Sequence, residues 1–199
     1  MNRLLVATNN PGKMQELRAL LSDLAVLLVT PEEAGLDLSV TEDGESYVEN
    51  AQKKAAAFAA ASGLISLADD SGLEVGALDG APGLRSARYL AHAGATDADR
   101  RALLLQNLRG KPRPWMARFR AAVAISVPGG ETHWAEGDCP GEIIPEERGA
   151  GGFGYDPIFL VSGTGQTMAE LDMHEKNRVS HRARAITKAR PILRQLLGG

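Results

Sequence analysis

Short apolar runs alternate along the chain with apolar positions at helical spacing, and that alternation predicts an α/β fold. Residues 4–7 form a continuous apolar run, the pattern of a strand buried on both faces. Asn10 then suits a helix N-cap and Pro11 the first helical position, with Met14, Leu17, Leu20 and Leu21 sharing one face of the helix that follows. Residues 25–29 predict a second strand and 31–38 a loop or short helix. Ser46 and Glu49 form a capping-box pair for a helix reaching about Ser62, on which Val48, Ala51, Ala55 and Phe58 lie on one side. Residues 64–68 read as a buried strand, Gly72 as a turn, and 73–78 as the next apolar run.

Further along, residues 80–89 form a loop, and Thr96 with Asp99 opens a helix that Gly110 stops. Residues 116–127 and 131–135 flank Pro128-Gly129-Gly130 as a long antiparallel hairpin, which 137–144 continues after a bend at Pro140-Gly141. A last helix over about 177–197 carries Val179, Ala183, Ile186, Ala189, Leu193 and Leu196 as its apolar stripe, and Pro191 is expected to kink it.

A chain of 199 residues accommodates one core, or one core in two lobes, and its 44% hydrophobic and 24% charged content is ordinary for a globular protein. No apolar run approaches the roughly 20 residues of a membrane-spanning helix, and the first is too short for a signal peptide. A cytoplasmic location is therefore expected, and the single Cys139, which cannot close an internal disulfide, agrees with a reducing compartment. The four histidines never pair at a zinc-like spacing. Net charge is only −3, which argues against a bulk nucleic-acid binder. From residue 176 onward, however, there are seven basic side chains and no acid, so the first 175 residues carry about −10. Such asymmetry fits a small anionic ligand held between a carboxylate-bound metal and cationic groups, and fits equally a solvated basic helix face.

Two stretches carry the chemistry. In Leu67-Ala68-Asp69-Asp70-Ser71-Gly72 two acids interrupt an apolar run, and a hard cation would offset the cost of placing them there. Side chains on an extended strand alternate, so one acid is expected to bind and the other to support. A plain Asp-Ser-Gly turn is the competing account. In Gly149-Ala150-Gly151-Gly152-Phe153-Gly154-Tyr155-Asp156-Pro157, aromatic rings beside flexible backbone suit stacking on a flat heterocycle, while a glycine-rich turn with Phe153 in the core explains the same residues. The free amides at the helix start after Asn10, with Lys13 in the first turn, form an anion site by geometry, while an ordinary strand-to-helix connection explains the same residues. Glu42, Asp43 and Glu45 precede the next helix, where a carboxylate either favours the helix end or completes a cation site. Lys176, His181 and Arg182 stand at the opening of the last helix, in reach of one ligand.

Thr8-Asn9-Asn10-Pro11-Gly12-Lys13, Ala68-Asp69-Asp70-Ser71-Gly72, Gly152-Phe153-Gly154-Tyr155-Asp156-Pro157 and Ser180-His181-Arg182 resemble, in order and over nearly the whole chain, the signature segments of the inosine/xanthosine triphosphate pyrophosphatases. Asn9 stands where many members have glycine. The resemblance implies an α/β protein with a long mixed central sheet flanked by helices, a single two-lobed domain over 1–199 with a nucleotide cleft, and a homodimer. It implies Mg²⁺-dependent hydrolysis of non-standard purine nucleoside triphosphates (ITP, dITP, XTP) to the monophosphate and pyrophosphate. By the family pattern Thr8, Asn9, Asn10, Pro11, Gly12 and Lys13 bind phosphates. Asp70 is metal ligand and proton acceptor, with Glu42 the second ligand. Ser71, Phe153, Gly154, Tyr155, Asp156, Lys176, His181 and Arg182 belong to the substrate. Donors from Lys176 and Arg182 would favour an oxygen at purine C6 over an amino group. A pyrophosphatase acting on modified pyrimidine nucleotides, a nucleotide sensor without hydrolysis and an RNA-binding module are the alternatives. No nucleic-acid or membrane partner is expected.

Overall fold

The apolar runs become strands and the 3.6-spaced stripes become helices in a computed structural model that describes residues 2–198. Strands β1 (Asn2–Val6), β2 (Val26–Val29), β3 (Ile65–Val75), β4 (Trp115–Ser126), β5 (Thr132–Ile143) and β6 (Phe159–Val161) form one sheet in the order β2-β1-β3-β4-β5-β6. β1 is parallel to both β2 and β3, whereas β5 and β6 are antiparallel, so the sheet is mixed. The helices are α1 (Pro11–Leu20), α2 (Tyr47–Ser62), α3 (Asp97–Leu108), α4 (Met173–Val179) and α5 (His181–Leu197). Among the described residues no helix is long and apolar enough to cross a membrane.

The chain divides into two compact units, each with its own core. Met1–Asp70, Ala121–Gly137 and Arg182–Gly199 make the first, Ser71–Arg120 and Asp138–His181 the second. The first packs Leu4, Val6 and Leu67 of the parallel strands with Leu17 of α1 and Ile186, Ala189 and Leu193 of α5. The second packs Leu73 and Val75 with Leu104, Leu108, Phe119, Ile143, Ile158 and Phe159. β3, β4 and β5 each have residues in both units.

Helix starts follow the sequence closely. Asn10 caps α1 by accepting the Lys13 N–H at 3.1 Å, and Thr96 caps α3 in a reciprocal capping box with Asp99. At α2, Ser46 accepts the Glu49 N–H, but the Glu49 carboxylate reaches back to the Glu45 N–H instead of closing the box on Ser46.

Three expectations change. Gly72 makes no turn, because β3 runs through it as eleven continuous residues, and Asp69 and Asp70 therefore sit inside a strand. Pro140 and Gly141 lie within an unbroken β5, where Gly141 is required since a Cβ would stand 2.5 Å from the Leu160 carbonyl and the Phe159 ring. The last helix is two helices: Ser180, at φ −67° and ψ 153°, separates α4 from α5, and Pro191 lies inside α5. α4 has its own start, with Asp172 and Glu175 in a capping box.

Candidate active site

Within the first unit the chain passes from β1 into α1 through an exposed turn. Ala7 N–H reaches the Leu67 carbonyl at 2.8 Å, so β1 stays paired with β3 until the turn begins, and the Thr8 hydroxyl then accepts the Asn10 N–H at 3.2 Å. Pro11 opens the helix without a donor of its own. Lys13 turns inward: its ammonium lies 3.1 Å from Asp69 Oδ2. Burial pulls the Lys13 ammonium below its ordinary value, as do Arg182 and Lys54, while Asp69 and Asp70 oppose the fall.

The alternation of β3 gives its two acids different surroundings. Asp69 is 1% exposed and directs Oδ2 at Lys13 and at the Arg182 Nε and terminal nitrogen, 3.0 and 2.9 Å away. The other end of that guanidinium is paired with Glu16, likewise buried. Burial pushes the Asp69 carboxyl up, but Lys13, Arg182 and Lys54 outweigh it and hold it far below the usual carboxylate range. For Arg182 burial works against the charge and the two carboxylates more than restore it, so the guanidinium stays protonated.

Asp70 accepts a hydrogen bond on Oδ2 from the Asn50 side chain at 2.9 Å. Burial raises its pKa, the Asn50 bond opposes that, Glu42 adds to the rise, and Lys13 and Lys54 oppose it. Glu42 is paired with the Lys54 ammonium, which also donates to the Asp69 carbonyl at 3.2 Å.

No three His, Cys, Asp or Glu side chains among the described residues form a metal-binding cluster. The donors present nonetheless suit a hard divalent cation. They are all oxygens, and Asp69 Oδ1 is buried with no hydrogen-bond partner. One or two carboxylates completed by substrate phosphates is the usual manner of holding Mg²⁺.

In the second unit the glycine-rich stretch wraps a buried ion pair. The Lys176 ammonium lies 2.7 Å from Asp156 Oδ2 and 5.2 Å from the centre of the Phe153 ring. The same Asp156 oxygen accepts the Phe153 N–H at 3.0 Å. Gly152 has φ +71°, and a Cβ there would fall 2.1 Å from that oxygen, so the approach requires glycine twice over. Two side chains one turn apart on α3 grip Gly154, with Asp97 accepting its N–H and Arg101 donating to its carbonyl, both at 2.8 Å. Arg101 is itself held by Glu147. Tyr155 is buried and donates its hydroxyl to the Ser86 carbonyl at 2.9 Å, and burial raises its phenol. The His181 ring stacks on Phe119 at 4.8 Å.

The sequence-derived residues thus separate into two groups. Thr8 to Lys13, Glu42 and Asp70 belong to the first unit together with Arg182; Ser71, Phe153 to Asp156, Lys176 and His181 belong to the second. Arg182 is paired with Asp69 and Glu16, and Lys176 with Asp156. Tyr155 is not available for stacking, since its ring is in the core. Asn50, Glu16, Lys54, Asp97 and Arg101 escaped the sequence reading: each fits a helix surface, and only long-range contact gives it a role. Asn50 carried a weak signal, being an amide on the packed side of an alanine-rich helix.

The Ham1 family model matches residues 4–192. A dITP/XTP pyrophosphatase of Desulforamulus reducens is 49% identical over 195 residues, covering 98% of this chain and 96% of that protein. The Bacillus subtilis dITP/XTP pyrophosphatase is 42% identical, covering 97% and 98%. Among solved structures, a HAM1 protein from Coxiella burnetii matches with TM-score 0.87 at 38% identity, covering 98% of this chain and all of that one. The dITP/XTP pyrophosphatase of Mycobacterium abscessus matches with TM-score 0.74 at 42% identity, covering 95% and 99%.

Proposed function

This chain belongs to the Ham1 family, and from that premise we propose that it hydrolyses non-standard purine nucleoside triphosphates, ITP, dITP and XTP, to the nucleoside monophosphate and pyrophosphate. The observation that carries the mechanism is the unequal treatment of the two acids on β3. Asp69 is neutralised by Lys13 and Arg182 and is fixed as an anion. Asp70 is held by an amide, in surroundings that raise its pKa, and a carboxylate so placed accepts a proton from water better than an ordinary one. We assign the proton-accepting role to Asp70.

The amides of the Thr8 to Lys13 turn and the Lys13 ammonium bind the phosphates, favouring charge that gathers on the leaving pyrophosphate. Lys13 reaches that position already charge-paired with Asp69, so its ammonium is oriented before substrate arrives. Asp70 and Glu42 would hold a Mg²⁺ ion. When bound, the ion supplies charge neutralisation of the triphosphate and polarisation of the phosphorus centre. The Glu42 contribution requires Lys54 to give up its hold on that carboxylate.

Purine recognition falls to the second unit. Lys176 presents a cation over the Phe153 face and Asp156 fixes its direction, an arrangement that donates to an oxygen at C6 and leaves a donor unmatched against an amino group there. Arg182, to which the sequence reading gave the same task, is assigned instead to holding Asp69. A homodimer and action in the cytoplasm belong to this proposal through the family resemblance; light scattering of the purified chain tests the first. Pyrophosphate release is the direct assay for the activity. With Mg²⁺, ITP, dITP and XTP are expected to exceed ATP by at least about 100-fold in kcat/KM, and chelation by EDTA to abolish turnover. Equal rates on ATP and ITP would sink the assignment.

A further inference from the structure

The Asn50 side chain, 1% exposed on the second turn of α2, has both ends committed. Its Oδ1 accepts the Gly44 N–H at 2.8 Å and its Nδ2 donates to Asp70 Oδ2 at 2.9 Å. The direction of the amide follows from chemistry: a backbone N–H can only donate, so the oxygen must face Gly44 and the nitrogen must face Asp70. One planar group thus ties the acid of β3 to the segment that carries Glu42. That segment sits close enough on α2 that a Cβ on Gly44 would fall 2.8 Å from Asn50 Oδ1 and 2.9 Å from the Glu49 Cβ. Its neighbours are fastened to the same helix, Glu45 through Glu49 and Asp43 through Lys53.

We infer that Asn50 is a positioning residue: its amide sets the spacing between Asp70 and the Glu42 segment, and through that spacing the affinity for the divalent cation. The inference rests on the assignment of those two carboxylates above and adds a residue that the reaction itself never touches. A carboxylate fixed by a partner in this way presents the same lone pairs each time, whereas one left to rotate must be ordered by the metal at the metal's expense. Loss of such outer partners typically costs about 10- to 100-fold in metal affinity.

Mn²⁺ binding to the nucleotide-free chain, followed by the EPR signal of the free ion, tests this without relying on turnover. Asn50→Ala removes the bridge, and Gly44→Ala pushes the segment off it while leaving the Asn50–Asp70 bond. Ser46→Ala strips the cap of the same helix and touches neither end. The first two are expected to raise the dissociation constant by about 10-fold or more, with Ser46→Ala within about twofold of wild type. Asn50→Ala should also lower kcat for ITP at saturating Mn²⁺ while its KM changes little. If Asn50→Ala fails to fold, Gly44→Ala decides. The inference is overturned if Asn50→Ala and Gly44→Ala bind Mn²⁺ as wild type does, or if Ser46→Ala weakens binding as much as they do. Wild-type hydrolysis of ITP alongside an unchanged Asn50→Ala affinity removes the role of Asn50 alone; a wild type that leaves ITP intact removes the hydrolase assignment instead.

Discussion

Arg182 is the largest fully buried side chain of the described residues, and it neutralises two carboxylates at once, Asp69 and Glu16. Removing it takes a buried cation from both acids, leaving Asp69 to Lys13, and breaking a buried pair in this way typically costs about 3–5 kcal/mol. Arg182→Ala should therefore lower the urea midpoint sharply before any question of selectivity arises; a near-wild-type midpoint would contradict the buried role. Asp70→Asn differs in kind. It keeps the size of the side chain and ends its capacity to take a proton, so ITP turnover should fall by about 10²–10⁴-fold with the fold intact by circular dichroism. Retained turnover would remove Asp70 from the mechanism. These two residues show how far a sequence speaks at this scale. The paired acids and Lys13 declare themselves through local pattern, since charge inside an apolar run needs a reason. The division of labour between Asp69 and Asp70 does not, because it depends on Arg182, which lies 113 positions further along the chain.

At the scale of elements, caps and stripes are local and most of them read correctly. Asn10, Ser46 and Thr96 each cap the helix their spacing promised. Gly72 and Pro140 misled because glycine and proline mark turns only where tertiary pairing does not override them, and both lie in long strands here. The basic segment at the end of the chain is only in part a solvated face: Arg190 and Arg194 converge on Asp23, and Lys188 reaches the Glu136 carbonyl. Asp23 is exposed; partial desolvation, the largest single influence, pushes its carboxyl up, but the hydrogen bond and charge of Arg190, a backbone hydrogen bond and the Arg194 charge together bring it below the usual carboxylate range. A depressed folded-state pKa gives stability that is present above the unfolded value and lost as pH falls through the folded one. Thermal melts of Asp23→Asn should thus lie slightly below wild type at neutral pH, by less than about 1 kcal/mol for so exposed a pair, and the gap should close as pH falls through the folded-state value. A gap that persists in acid would assign the effect to something other than charge.

For the molecule as a whole, the two cores are assembled from discontinuous stretches, and β3, β4 and β5 each contribute residues to both. No single cut of the chain yields either unit complete. Urea unfolding is accordingly expected to give one cooperative transition, coincident by tryptophan fluorescence and far-ultraviolet circular dichroism. Two resolved steps would show that the shared strands do not couple the cores. The sheet order was legible only as a mixed α/β pattern, because strand neighbours such as β1 and β3, some sixty residues apart, leave no mark on local spacing. The same strand geometry has an evolutionary corollary. Adding or deleting one residue between the start of β3 and Asp69 would invert the pleat, exchanging the faces that Asp69 and Asp70 present to Arg182 and Asn50. Drift in length must then be confined to the surface loops, and descendants of this gene should hold that short interval fixed while the connections around it grow and shrink.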